Sequence, residues 1–484
     1  MTPSTVTEVS PRQTQVPRCH AGAPPAVPAA TAAATRTRLL LEGPIVSTLL
    51  RLAGPNVVVN VVLIAVTASV DAYFVGKLGP SALGGLSLVF PLLMLMQQVA
   101  NSSMGGAIAS AIARSIGAAR RDDASALVVH GLLIAGGMAA VFSALLLVGG
   151  PTIYALMGGR GEVLTAAVEY SSAIFGGALV YWMLSALTSV VRGTGQPTVL
   201  AAVYIAAEAL HVFLVPMLVF GVGPMPALGV TGAGLATVAS FGISAGVLAW
   251  YIASGRTPLT LSPRSVRLER RLFTEILRVG APMSLQPVLN NLALAMLTAL
   301  VGTLGPTALA GFGVAVRLEY IQYPLTFGLG AGVIAMVGTN LGAGQSARAI
   351  RVTWTAGGLA MSFSGTIGLL AVTWPGAWTS FFSSSSAVEA SAARYLCIAG
   401  LAYPCLGLGL TTASAFQAAG RPIWPLLATA GRVLVVAGGG WIAIHALRTG
   451  VAGLGVVAAS GLVVYAATLA IAFRAGAWRK RTRG

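Results

Sequence analysis

Apolar residues in this chain come in long unbroken blocks, separated by short polar stretches rich in arginine and glycine. A block of about 20 mostly apolar residues is long enough to cross the hydrocarbon of a bilayer as a helix. Twelve blocks qualify, near 48–74, 82–112, 127–149, 163–190, 197–221, 228–253, 280–303, 308–338, 352–373, 387–414, 422–446 and 452–473, and they predict twelve spans. Span 1 also has a polar pattern of its own. On a helix turning about 100° per residue, Asn56, Asn60, Thr67 and Asp71 fall within roughly 60° of one another, while Val57, Val58, Val61, Val62, Leu63 and Val66 cover the rest. A carboxylate inside a bilayer costs about 2.5–3.5 kcal/mol on insertion scales, so such residues usually face a bundle interior, an ion path or a wet cavity. Asp71 is therefore the first candidate for function, and the plainer alternative is an interfacial acid at a helix end.

The polar stretches sort into two sets. The set made of the chain ends and the loops after spans 2, 4, 6, 8 and 10 carries most of the cations, among them Arg51, Arg114, Arg120, Arg121, Arg192, Arg270, Arg271, Arg348, Arg351 and Arg421. The other set holds only Lys77, Arg160 and Arg448. By the positive-inside rule this alternation predicts both termini in the cytoplasm of a multi-pass plasma-membrane protein.

The halves also repeat. LLRLAGP at 49–55 matches ILRVGAP at 276–282, FVGKLGPSALGG at 74–85 matches LVGTLGPTALAG at 300–311, SIGAAR at 115–120 matches NLGAGQ at 340–345, and GQP at 195–197 matches GRP at 420–422. Each repeat unit holds an even number of spans, so the copies share one orientation and should be related by an axis along the membrane normal. The expected organisation is a disordered N-terminal tail (1–41), a first lobe (42–254), a cytoplasmic linker (255–275), a second lobe (276–474) and a short basic tail (475–484).

Composition excludes most alternatives. The 484 residues are 56% hydrophobic and 8% charged, against about 25% charged in globular proteins. A net charge of +17 would suggest nucleic acid in a soluble chain; here the cations lie between apolar blocks, so topology accounts for them and no nucleic-acid partner is expected. Cys19, Cys397 and Cys405 have neither metal nor disulfide spacing, and no metal or cofactor is expected. The phosphate loop, the His-Glu-x-x-His zinc motif and the serine triad are all missing, which disfavours an enzyme.

Four further spans carry polar faces. In span 5, Tyr204, Glu208, His211 and Val215 follow at steps of four, three and four, so Glu208 and His211 can touch across one turn. A carboxylic acid beside an imidazole can trade a proton near physiological pH; a locked structural pair is the alternative. In span 2, Met94, Gln97, Gln98 and Asn101 recur at helical spacing, with Met104 one turn on. A methionine-lined surface suits a binder of dissimilar ligands, although such a stripe is more often packing. In the second lobe, Gln286, Asn290, Tyr320 and Tyr323 are candidates for the same cavity, and Arg317 and Glu319 are placed to neutralise each other.

The run from Pro55 to Asp71-AYFVGKLG, the inner loops SIGAARRDDA and NLGAGQSARA, VRGTGQP after span 4, FGVGPMPALGVTGAGLATV and VRLEYIQYPLTFGLGAG together resemble the multidrug and toxic compound extrusion (MATE) family over about residues 42–475, most closely its DinF-like branch. The resemblance implies a two-lobe, twelve-helix antiporter, working as a monomer, that expels amphipathic and usually cationic small molecules in exchange for protons or sodium. It implies that Asp71 is the coupling aspartate and that Pro55 is a hinge. In that branch span 5 reads Asn-x-x-x-Asp; here His211 replaces the Asn and Val215 the Asp, which points to protons over sodium, with Glu208 as a substitute acid. An exporter or flippase of a lipid-linked or natural-product molecule on the same fold is the alternative.

Overall fold

A computed structural model of the chain describes residues 29–62, 68–221, 226–257, 259, 268–382 and 385–479. Among the described residues there is no strand. Ten helices are long and apolar enough to cross a membrane, from Pro80–Gly117 to Gly450–Arg474. Gly161–Gly176 and Ala178–Gly193 form one further span, bent by 46° at Gly177. The first predicted span is represented by Ile45–Val62 and Ala68–Gly76, on either side of residues outside the description.

Three spans begin with proline in the first turn, at Pro80, Pro197 and Pro306. There the missing N–H costs nothing, because helix-initial amides have no partner in any case. Two expectations need correction. The segment Ala29–Glu42 is a helix, where composition suggested a disordered tail to residue 41. The linker is also shorter than 255–275, because the seventh span already runs as helix over Arg270–Gly302. Its polar first turns have partners elsewhere: Arg271 forms a forked pair with Asp123 at 2.8 and 3.2 Å, and the Glu269 amide donates to His130 Nε2 at 3.0 Å.

Spans 2 and 8 hold the lobes together at the arginine-rich end. Residue 115 of the first repeat matches residue 340 of the second, which makes Ala113, Arg114 and Gly117 the counterparts of Gly338, Thr339 and Gly342. These residues meet each other. A Cβ on Gly117 would strike the Thr339 carbonyl, one on Gly342 would strike the Arg114 carbonyl, and one on Gly338 would lie 2.8 Å from Ala113 Cβ. The crossing therefore follows the repeat axis, each copy presenting the same small-residue patch to the other.

Side chains reinforce the seam. Arg114 donates to the Ala418 carbonyl at 2.7 Å and to Glu275 at 3.0 Å, and Gln417 donates to the Ser102 and Ser103 carbonyls at 2.9 and 3.1 Å. Leu40, Leu49 and Leu52 pack into a core shared with Val333, Met336 and Phe416, so the start of the chain docks on the second lobe.

This seam should open when its backbone contact is blocked. In a chain cleared of its natural cysteines, Ser110→Cys is expected to resist a water-soluble maleimide, since Ser110 is fully buried. Adding Gly342→Ala should make it reactive, and equal protection in both proteins would refute the role given to the crossing.

Candidate functional site

Asp71 is buried, with 3% of its surface exposed, and three other spans converge on it. Its Oδ2 accepts a hydrogen bond from the Tyr170 hydroxyl at 3.0 Å, from the bent fourth span. Thr237, on the sixth, lies 3.4 Å from the same oxygen and 3.1 Å from the Ala233 carbonyl, between which its single proton is shared. His211, on the fifth, places Nε2 3.1 Å from Oδ1. The two atoms do not meet in normal hydrogen-bond geometry, so the contact is a close approach of the two groups and not a linear hydrogen bond. Glu208 lies one turn before His211 and within its electrostatic range, itself only 4% exposed.

The geometry concentrates negative charge where water is scarce. With Asp71 ionised and the imidazole neutral, the pair carries one net negative charge. One added proton removes that charge, whichever partner holds it. An uncompensated buried charge costs several kcal/mol, and the Tyr170 and Thr237 hydroxyls are the donors that offset it here.

Span 5 presents Tyr204, Glu208, His211 and Val215 on one buried face, as its spacing predicts, and of these His211 reaches Asp71. Tyr204 lies 3.2 Å from Thr188. The seam of span 1 divides. Asn56 donates to the Leu52 carbonyl at 2.9 Å and Asn60 to the Asn56 carbonyl at 2.7 Å, so both brace the backbone beside Pro55 and do not reach the acid. Proline removes one rung of the helix ladder there, which leaves the segment in need of such bracing. Thr67 lies outside the described residues.

Arg192 is placed differently from its expectation as a loop cation. Only 8% exposed, it donates from Nε to Asn56 Oδ1 at 3.2 Å and lies 5.2 Å above the Phe327 ring of span 8. Sequence reasoning also missed Tyr170 and Thr237. The repeat offered a signal for two of the three. Tyr170 has Tyr395 at its equivalent position, both 1% exposed, and Arg192 has Gln417, which likewise reaches across to the opposite lobe.

The candidate cavity residues remain scattered. Met94 and Gln97 are half-buried and Gln98 is exposed. Asn101 is held inside the first lobe by Tyr181 at 2.5 Å and Ser185 at 3.0 Å, while Met104 packs against Gly280 in the seam between the lobes. Gln286 donates to Thr429 at 3.1 Å, and Asn290 is half-buried. Tyr320 and Tyr323 have ring centroids 6.2 Å apart. Glu319 does not pair with Arg317. Its partner is Arg432 of span 11, at 3.3 Å with both side chains 13% exposed, and Arg317 lies over Phe382 at 5.1 Å.

The MatE family model matches this chain twice, over residues 57–217 and 282–442. The chain is 25% identical to the "FAD transporter" of Shewanella oneidensis, over 82% of this chain and 87% of that protein. It is also 25% identical to the "Probable multidrug resistance protein NorM" of Thermotoga maritima, over 79% and 82%. A solved multidrug resistance MATE transporter in an outward-facing conformation superposes with a TM-score of 0.83 at 24% identity, covering 92% of this chain and 98% of the other. At that identity the likeness speaks for the fold alone. The two family matches lie 225 residues apart, the same offset that pairs Gly117 with Gly342.

A double-mutant cycle tests the charge pair. His211→Leu leaves Asp71 buried without its imidazole partner, and the expected loss is about 1–3 kcal/mol, the cost of an unpartnered buried polar group. Adding Asp71→Asn should recover much of that loss in thermal unfolding, and strictly additive effects would refute the pairing.

Proposed function

The chain belongs to the MatE family, and from that membership we propose that it is a secondary antiporter exporting amphipathic, mostly cationic compounds in exchange for protons by alternating access. Family membership makes it a multi-pass membrane transporter and not an enzyme. The coupling ion and the substrate are our reading, and the observation that carries it is the buried Asp71–His211 contact.

One net negative charge can be offset by a proton or by the positive charge of a substrate, but not well by both. The two therefore compete for the same state of the first lobe. A proton arriving from outside displaces the cation there, and its departure to the cytoplasm restores the charge that attracts the next one. Exchange of one proton for one monovalent cation moves no net charge, so the pH gradient alone drives it, at about 1.4 kcal/mol per pH unit. A neutral substrate would add the membrane potential, about 2.3 kcal/mol per 100 mV.

His211 and Val215 support protons over sodium. Hard cations select oxygen ligands, and this site offers an imidazole where a carbonyl oxygen would serve and a buried valine where the resemblance expects an acid. Closure of the lobes at the arginine-rich end, taken as cytoplasmic by the positive-inside rule, supports a conformer open toward the outside. A second reading has one observation in its favour. Arg192 is a buried cation with no ion-pair partner among the described residues, and a relative is named as a transporter of FAD, an anionic aromatic compound.

Everted vesicles with an imposed pH gradient separate these readings. Wild-type vesicles are expected to take up a lipophilic cationic dye, and Asp71→Asn should reduce pH-driven uptake by at least roughly tenfold, the loss of about one pH unit of useful coupling. Uptake unchanged in that variant would overturn the proton mechanism. Uptake of FAD without uptake of the dye would favour the second reading.

A further inference from the structure

A cavity of about 230 Å³ lies away from the Asp71 site, at the arginine-rich end of the first lobe, where the Ala29–Glu42 helix, the start of span 1 and the turn between spans 4 and 5 meet. Arg36 and Arg51 line it, with Thr48, Gln196, Thr198 and the apolar wall of Leu39, Leu40, Leu52, Pro197 and Val199. No acid is among its lining residues, and neither arginine has an ion-pair partner among the described residues. The nearby acid Glu42 is engaged by Arg38 at 2.7 Å.

Two wall residues have unused hydrogen-bonding capacity. Thr48 is 2% exposed and its hydroxyl has no partner; Gln196 is 5% exposed and its amide nitrogen has none, although its oxygen accepts from Tyr251 at 2.6 Å. A buried polar atom left unpaired costs about 1–3 kcal/mol, which a bound acceptor would recover. The Pro197–Phe220 helix begins in the same wall, so the first free amides of a long helix, those of Thr198 and Val199, lie beside the two cations. Gly195 shapes the wall from the other side. Its φ of +74° and a Cβ position only 3.2 Å from Leu40 leave room for the N-terminal helix to close over the turn.

We propose that this cavity binds a phosphate-bearing anion, with the headgroup of an anionic phospholipid as the ligand class. Two guanidinium groups, a hydroxyl, an amide and a helix start are all donors, which a phosphate with its several acceptor oxygens satisfies. The leucine and valine wall suits the glycerol and first acyl carbons of a lipid and offers a free ion nothing. Juxtamembrane cations gain about 1 kcal/mol each near an anionic leaflet. Bound there, the headgroup would tie the Ala29–Glu42 helix to the first lobe, while Asn340 holds the Leu40 carbonyl from the second lobe at 3.0 Å.

The test uses the purified full-length chain in neutral detergent, titrated with a short-chain phosphatidylglycerol, the matching phosphatidylcholine and inorganic phosphate, with thermal unfolding and binding as readouts. Phosphatidylglycerol should bind and raise the unfolding temperature, while phosphatidylcholine should do neither. Arg36→Gln with Arg51→Gln should weaken that binding by roughly tenfold or more, the loss of two charge-assisted contacts, and Arg160→Gln, at an exposed arginine outside the cavity, should leave it unchanged. Thr48→Val, which removes a hydroxyl and no charge, should weaken it several-fold even where the arginine pair proves necessary for folding. Inorganic phosphate competing with the lipid would support the site, and phosphate binding where phosphatidylglycerol does not would assign it to the free ion and overturn the lipid reading. Equal binding of phosphatidylcholine, or full affinity in both the arginine and Thr48 variants, would overturn the proposal.

Discussion

A carboxyl group buried in an apolar bundle is the constraint on which the rest of the structure depends. Asp71 is removed from water, and the cost of its charge is offset by groups brought from three other spans: a hydroxyl from Tyr170, a shared hydroxyl from Thr237 and the His211 imidazole. None of these is near it in the chain. The first lobe is held in this arrangement because separating its helices would leave the acid without donors. Gain or loss of one proton changes the net charge of the cluster by a full unit, and a buried cluster is sensitive to that change.

The two lobes meet on different terms. Their seam at the arginine-rich end is built from small residues that let helix backbones touch, and because the chain is duplicated, the same patch serves both sides. Close backbone contact of this kind is either made or lost, which suits a junction that opens and closes as a unit. Symmetry is broken by charge: Arg114 reaches Glu275 and the Ala418 carbonyl, whereas its counterpart Thr339 has no charge to offer.

Span 1 connects these two regions. It carries Asp71 toward one end and, beyond Pro55, Asn56, which braces its own backbone and accepts from Arg192. Arg192 in turn lies against Phe327 on the opposite lobe. Asn56, next to Pro55, is thus linked to the opposite lobe through Arg192. The second lobe has a partly buried pair of its own, Glu319 with Arg432, and an arginine stays charged at any physiological pH.

Much of this was legible in the residues. Block length predicted the helical class and most of the spans, because the hydrocarbon thickness sets a minimum that composition either meets or does not. The repeats predicted which residues would be equivalent, and the cost of a buried charge singled out Asp71. Which partners that charge would find was decided only by the packed structure. Tyr170, Thr237 and His211 lie 99, 166 and 140 positions from Asp71, and helical periodicity says which face a side chain is on without saying what that face meets. The same limit left Arg192 in a loop and paired Glu319 with its near neighbour Arg317. A long cationic side chain at a span end can turn toward water or toward the bundle, and only the space left by the opposite lobe determines which.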